Sequence, residues 1–201
     1  MAIISMDDAR EEQLAEKGKR KAQRIYEGLN EEEFEKLLNG AKKPHHKLAF
    51  LLAYGSGLRI SEVINIQKDD IDIKSNRIFI RQGKNSKDRV VNIPKQLKEK
   101  YLDVLPFKIT QRALEAVFLR ISLRVGINKV IGDYDANGKK IPIYKFHFHS
   151  LRHSFAQRSL AKGLPPHYLQ ALMGHESLAT TNRYTKANPK DAIDAAMARG
   201  I

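Results

Sequence analysis

The sequence predicts a mainly helical domain with a small antiparallel β-sheet, an α+β fold. Three observations predict it: capped segments with one apolar face dominate the chain, two stretches alternate in polarity on either side of turn residues, and no internal repeat or low-complexity run interrupts them. At 201 residues the chain suits one well-buried domain, or one domain with a tail, since single domains usually run ~100–200 residues.

Residues 1–28 differ from the rest. They are charge-dense, acidic from Asp7 to Glu16 and basic from Lys17 to Arg24, and are expected to be a tail or interdomain linker. The domain proper is expected over residues 29–201. It opens with a helix at Leu29-Asn30-Glu31-Glu32-Glu33-Phe34, where Asn30 caps, Glu33 closes the capping box and Leu29 staples onto Phe34. A second helix near His46–Tyr54 is apolar over most of its circumference and is therefore buried, with Gly55 and Gly57 ending it. A short helix follows, with Ile60, Val63 and Ile64 on one face and Arg59 and Glu62 on another.

The alternating stretches Arg77–Gln82 and Arg89–Ile93 flank Gly83-Lys84-Asn85-Ser86-Lys87-Asp88 and read as a β-hairpin with a long basic turn. Helices are expected over 95–104 and 110–125, then a second hairpin turning at Asp135-Ala136-Asn137-Gly138. From Ser150 onward the chain is helical again, with Gly163 and Pro165-Pro166 separating two helices.

Lysine and arginine number 36 against 23 acidic residues, a formal charge of +13. Such a surface suits a polyanion, because each neutralised phosphate releases condensed counterions. The absence of cysteine excludes disulfides, thiolate metal sites and a cysteine nucleophile. The longest apolar stretch, around Leu48 to Tyr54, is far short of the ~20 residues a membrane span needs. No signal peptide begins the chain, and a cytoplasmic location with no membrane partner is expected.

Four segments carry side chains suited to chemistry. In Gly57-Leu58-Arg59-Ile60-Ser61-Glu62 the arginine and glutamate are either an ordinary ion pair at a helix start or a cation oriented by an acid. Gly83-Lys84 opens the basic turn, which alone reads as a solvated hairpin loop. In His149-Ser150-Leu151-Arg152-His153 the two outer histidines share a helix face, a spacing that a metal can use, but no carboxylate stands between them in a zincin arrangement and no metal is expected. Leu172-Met173-Gly174-His175 precedes Tyr184, and alone this reads as a helix end with a half-buried tyrosine.

In this order and spacing the four segments closely resemble the signature of the tyrosine recombinases, a family that includes Xer-type resolvases and phage or plasmid integrases. Arg59, Lys84, His149, Arg152, His175 and Tyr184 match the family's catalytic positions, and Glu62 matches the acidic position that supports the first arginine. The neighbouring text agrees in Leu151-Arg152-His153-Ser154-Phe155-Ala156, Met173-Gly174-His175 and Thr180-Thr181-Asn182-Arg183-Tyr184-Thr185. The resemblance implies the catalytic-domain fold of that family, with its usual N-terminal core-binding domain absent, either because this is a fragment or because the protein is naturally short.

It also implies an enzyme that cuts and rejoins double-stranded DNA for recombination or integration through a 3′-phosphotyrosine intermediate, as a dimer to tetramer on paired sites. Arg59 and Arg152 would clamp the phosphate, since guanidinium forks match its planar oxygens, and His175 would donate a further hydrogen bond. A phenol of ordinary pKa about 10 needs a base or a positive neighbourhood, and His149 fits the base by family analogy. The departing 5′-oxygen needs a proton, from Lys84 or from its competitor Lys87. Lys87, Arg89, His153 and Arg183 are expected to contact DNA. No cofactor is expected, because no glycine-rich phosphate loop or carboxylate cluster for metals is present. The alternatives are a type IB topoisomerase, which relaxes DNA by related chemistry, a DNA-binding modulator without catalysis, and a metal-dependent nuclease.

Overall fold

A computed structural model describes residues 28–81, 88–136 and 138–174. Helix α1 (Glu31–Gly40) starts at the expected capping box: Asn30 Oδ1 accepts the Glu33 N–H at 2.8 Å and the Glu33 carboxylate accepts the Asn30 N–H at 2.9 Å. Leu29 and Phe34 are both buried beside it. Helix α2 (Pro44–Ser56) is buried along nearly its whole length. Gly57, with φ 71°, caps its end, but Gly55 lies inside the helix rather than ending it. A Cβ at Gly55 would come within 2.5 Å of Pro94, so the close passage of that loop is what requires glycine there.

Helix α3 (Ile60–Asn65) is followed by strands β1 (Ile71–Asp72), β2 (Arg77–Ile80) and β3 (Arg89–Asn92), an antiparallel sheet in that order with Ile78 opposite both Ile71 and Val91. The two-residue β1 is too short to show alternation in sequence. Of the helix expected over 95–104, only Glu99–Val104 is helical, as a 3-10 turn. Its one fully buried side chain, Leu102, gives it little apolar face with which to stabilise a longer helix.

Thr110 caps helix α4 (Gln111–Arg124). Strands β4 (Val130–Ala136) and β5 (Lys139–Tyr144) form the second hairpin, largely exposed, where Gly138 adopts φ 77°. Helix α5 (Phe148–Ala161) begins ahead of the expected Ser150, because the Ser150 hydroxyl accepts the His147 N–H at 3.1 Å and makes His147 the cap. Helix α6 (Pro166–Met173) ends at Gly174, whose φ is 59°.

Helix α2 packs along α5, and Phe50, Phe118 and Phe148 from α2, α4 and α5 meet with ring centroids 5.9–6.1 Å apart. Buried Asn128 braces the segment leading into α5: its amide donates to the Ser122 hydroxyl and the Phe146 carbonyl, and its oxygen accepts the Phe146 N–H at 2.9 Å. Leu29 donates its N–H to Ser154 Oγ at 2.7 Å, tying the start of the domain to α5. Among the described residues, no helix is long and apolar enough to cross a membrane.

Candidate active site

Arginines from the start of α3, strand β3 and helix α5 converge on one carboxylate, Glu62. Arg59 stands just before α3, so the Glu62 carboxylate accepts its backbone N–H at 2.7 Å and also its Nη1 at 2.8 Å. Arg89 enters from β3 and grips both Glu62 oxygens, Nη1 to Oε1 at 2.8 Å and Nη2 to Oε2 at 2.7 Å. Arg152, from α5, brings Nη1 to 3.8 Å from Glu62 Oε2. Burial pushes the Glu62 carboxyl up, but the hydrogen bonds and charge of Arg89, together with the bonds from Arg59, outweigh it and hold the group below the usual carboxylate range.

The same three arginines fasten the end of α6. Arg89 Nε donates to the Leu172 carbonyl at 2.7 Å, Arg152 Nη2 to the Met173 carbonyl at 2.5 Å, and Arg59 Nη2 to the Gly174 carbonyl at 2.7 Å. The last carbonyls of a helix lack intrahelical donors and carry the negative end of its dipole, so three guanidinium groups satisfy three consecutive acceptors directly ahead of His175. Arg152 also donates Nη1 to the Gly57 carbonyl, at the cap of α2. Arg152 is almost fully buried, whereas the Arg59 side chain is 34% exposed and opens the cluster to solvent.

His149 lies one helical turn before His153 on α5, their rings edge to face at 4.6 Å. Part of His149 reaches solvent, but the protein packed around the rest of the ring, and then the charges of Arg152, Arg59 and His147, hold its pKa down to about 4. The imidazole is therefore neutral at pH 7 and has a lone pair to accept a proton. Among the described residues, no three His, Asp or Glu side chains gather closely enough to hold a metal ion.

The structure thus brings Arg59, Glu62 and Arg152 together, with His149 beside them. It turns two expected DNA contacts inward. Arg89 has a side chain only 6% exposed, and His153 is buried against His149. Strand alternation carried the signal for Arg89, which shares its face of β3 with buried Val91 while Val90 is exposed. Lys84, Lys87, His175, Arg183, Tyr184 and residues 1–27 lie outside the described residues.

The model of the phage integrase family matches residues 27–191. The chain belongs to that family, the tyrosine recombinases. This phage integrase domain is 36% identical over 166 residues to the tyrosine recombinase XerA of Thermococcus kodakarensis, covering 79% of this chain and 57% of that one. It thus spans little more than half of that relative's length. The crystal structure of XerA recombinase superposes with a TM-score of 0.67 at 24% identity, over 86% of this chain and 63% of that one. That of the XerH site-specific recombinase bound to palindromic difH substrate, a post-cleavage complex, superposes with a TM-score of 0.64 at 23% identity, over 89% of this chain and 54% of that one. These two likenesses establish the fold, a mainly helical recombinase catalytic-domain fold with small antiparallel sheets.

Proposed function

We propose that this domain cuts and rejoins double-stranded DNA in site-specific recombination or integration, through a covalent bond between Tyr184 and a 3′-phosphate. The observation that carries the reading is the convergence of Arg59 and Arg152 on Glu62 and on the end of α6, immediately ahead of His175. Attack on a phosphodiester places extra negative charge on the non-bridging oxygens. Fixed donors aimed at that charge are worth ~3–4 kcal/mol each, because they need no reorganisation during the reaction.

Arg59, partly open to solvent, meets the phosphate first, and Arg152 sits deeper, where low dielectric strengthens its field. Tyr184 oxygen attacks phosphorus and gives its proton to neutral His149. The P–O5′ bond breaks as Lys84 delivers a proton to the departing oxygen, and His175 donates to a non-bridging oxygen. The phosphotyrosine bond retains the energy of the broken linkage, so reversal with a new 5′-hydroxyl rejoins DNA without a nucleotide.

Residues 1–28 serve as a charged tail or interdomain linker. The formal charge of +13 supports a DNA partner, and exchange between paired sites calls for a dimer or tetramer of this chain in the cytoplasm. The test is strand exchange, in EDTA, between two labelled duplexes of unequal length carrying the sequence that the domain cleaves. Products of hybrid length are expected. Relaxation of supercoiled DNA without hybrids would reassign the domain to topoisomerase work, and loss of cleavage in EDTA would point to metal-dependent hydrolysis.

A further inference from the structure

We infer that Arg89 is a positioning residue for the phosphate clamp and makes no contact with DNA, an inference that rests on the cleavage reaction proposed above. Its guanidinium is used on three sides: both terminal nitrogens hold the two oxygens of Glu62, and Nε holds the Leu172 carbonyl. Glu62 in turn holds Arg59 by backbone and side chain. The plane in which Arg89 fixes the Glu62 carboxylate therefore sets the direction of the Arg59 guanidinium.

The Leu172 carbonyl is the first of the three consecutive acceptors that end with Gly174, so the same side chain also helps to set the position of the end of α6. Arg89 opens β3, five residues after Lys84 in the sequence. One planar side chain thus links β3, the anchor of Arg59 and the end of α6. Lysine is a point charge without the fork and cannot hold three acceptors in these directions. With Nη1 and Nη2 on Glu62 and Nε on Leu172, all three nitrogens of Arg89 are committed within the protein.

The experiment compares the full chain with Arg89→Gln and Arg89→Lys in single-turnover covalent cleavage at saturating DNA and in DNA binding over a range of salt. Both variants are expected to bind with the wild-type Kd and salt slope while cleaving roughly 10²-fold more slowly, the loss that a misplacement of about 1 Å produces. In an Arg59→Lys background, Arg89→Gln is expected to cost far less than it does alone, because Arg89 acts through Arg59.

Weaker binding with a salt slope shallower by about one counterion, and an unchanged rate at saturation, would make Arg89 a DNA contact and overturn the inference. So would equal fold-losses in the two backgrounds, or wild-type cleavage by Arg89→Lys. Thermal unfolding accompanies each rate. If Arg89→Gln does not fold, Arg89→Lys, which keeps the buried positive charge beside Glu62, decides the matter. A wild-type chain that forms no covalent adduct would instead defeat the reaction itself, before any variant is compared.

Discussion

The backbone N–H of Leu29 donates to the hydroxyl of Ser154 at 2.7 Å, which ties the first residues of the domain to the helix that carries Arg152. The same hydroxyl donates to the Ser150 carbonyl at 2.8 Å, and Gln157, further along α5, accepts the Gly28 N–H at 3.2 Å. A Cβ at Gly28 would stand 2.7 Å from the Ser154 backbone, so the chain here lies directly against the helix.

Removing that hydroxyl leaves the buried Leu29 N–H without its acceptor. Ser154→Ala is expected to lower stability by about 1–3 kcal/mol, the cost of an unmet buried donor, read as a shift in the urea unfolding midpoint. An unchanged midpoint would mean that the junction contributes nothing to the fold.

The pH dependence follows from His149. Its pKa is about 4 in the DNA-free domain, below the ordinary 6.5, because the protein packed against one side of the ring and then the nearby cations disfavour the imidazolium. The unfolded chain therefore binds more protons between those values, and stability falls as pH drops from 6.5 towards 4. A bound DNA phosphate brings negative charge beside the ring and offsets the cations, so the pKa rises in the complex. Titration of His149 by NMR is expected to show this upward shift on adding DNA, and kcat for cleavage should lose its neutral base at a higher pH than kcat/KM does. A pKa unmoved by DNA would place the phosphate away from this histidine.

Much of the fold was legible because local chemistry announced it. Asn30 with Glu33, the apolar circumference of α2 and the glycine turn at Gly138 each act within a few residues of themselves. Gly55 was misread as a helix end because its reason is Pro94, a neighbour in space and not in sequence. The same distinction divides the site. Arg59, Glu62, His149 and Arg152 were named through segment order and family resemblance, and the fold gathers them. The inward turn of Arg89 depended on Glu62 and Leu172, which lie far from it along the chain, although the buried face of Val91 already pointed that way.

Tyr184 is expected to become covalently linked to DNA. The direct measurement is to incubate the chain with a pool of nicked duplexes of randomised sequence, in which the short 5′-hydroxyl strand diffuses away after cleavage, then to denature the mixture and map any protein–DNA adduct by peptide mass. The wild-type chain is expected to give a denaturant-resistant adduct on the peptide containing Tyr184, and Tyr184→Phe none. An adduct of undiminished yield in Tyr184→Phe, or one mapping to another residue, would contradict the account.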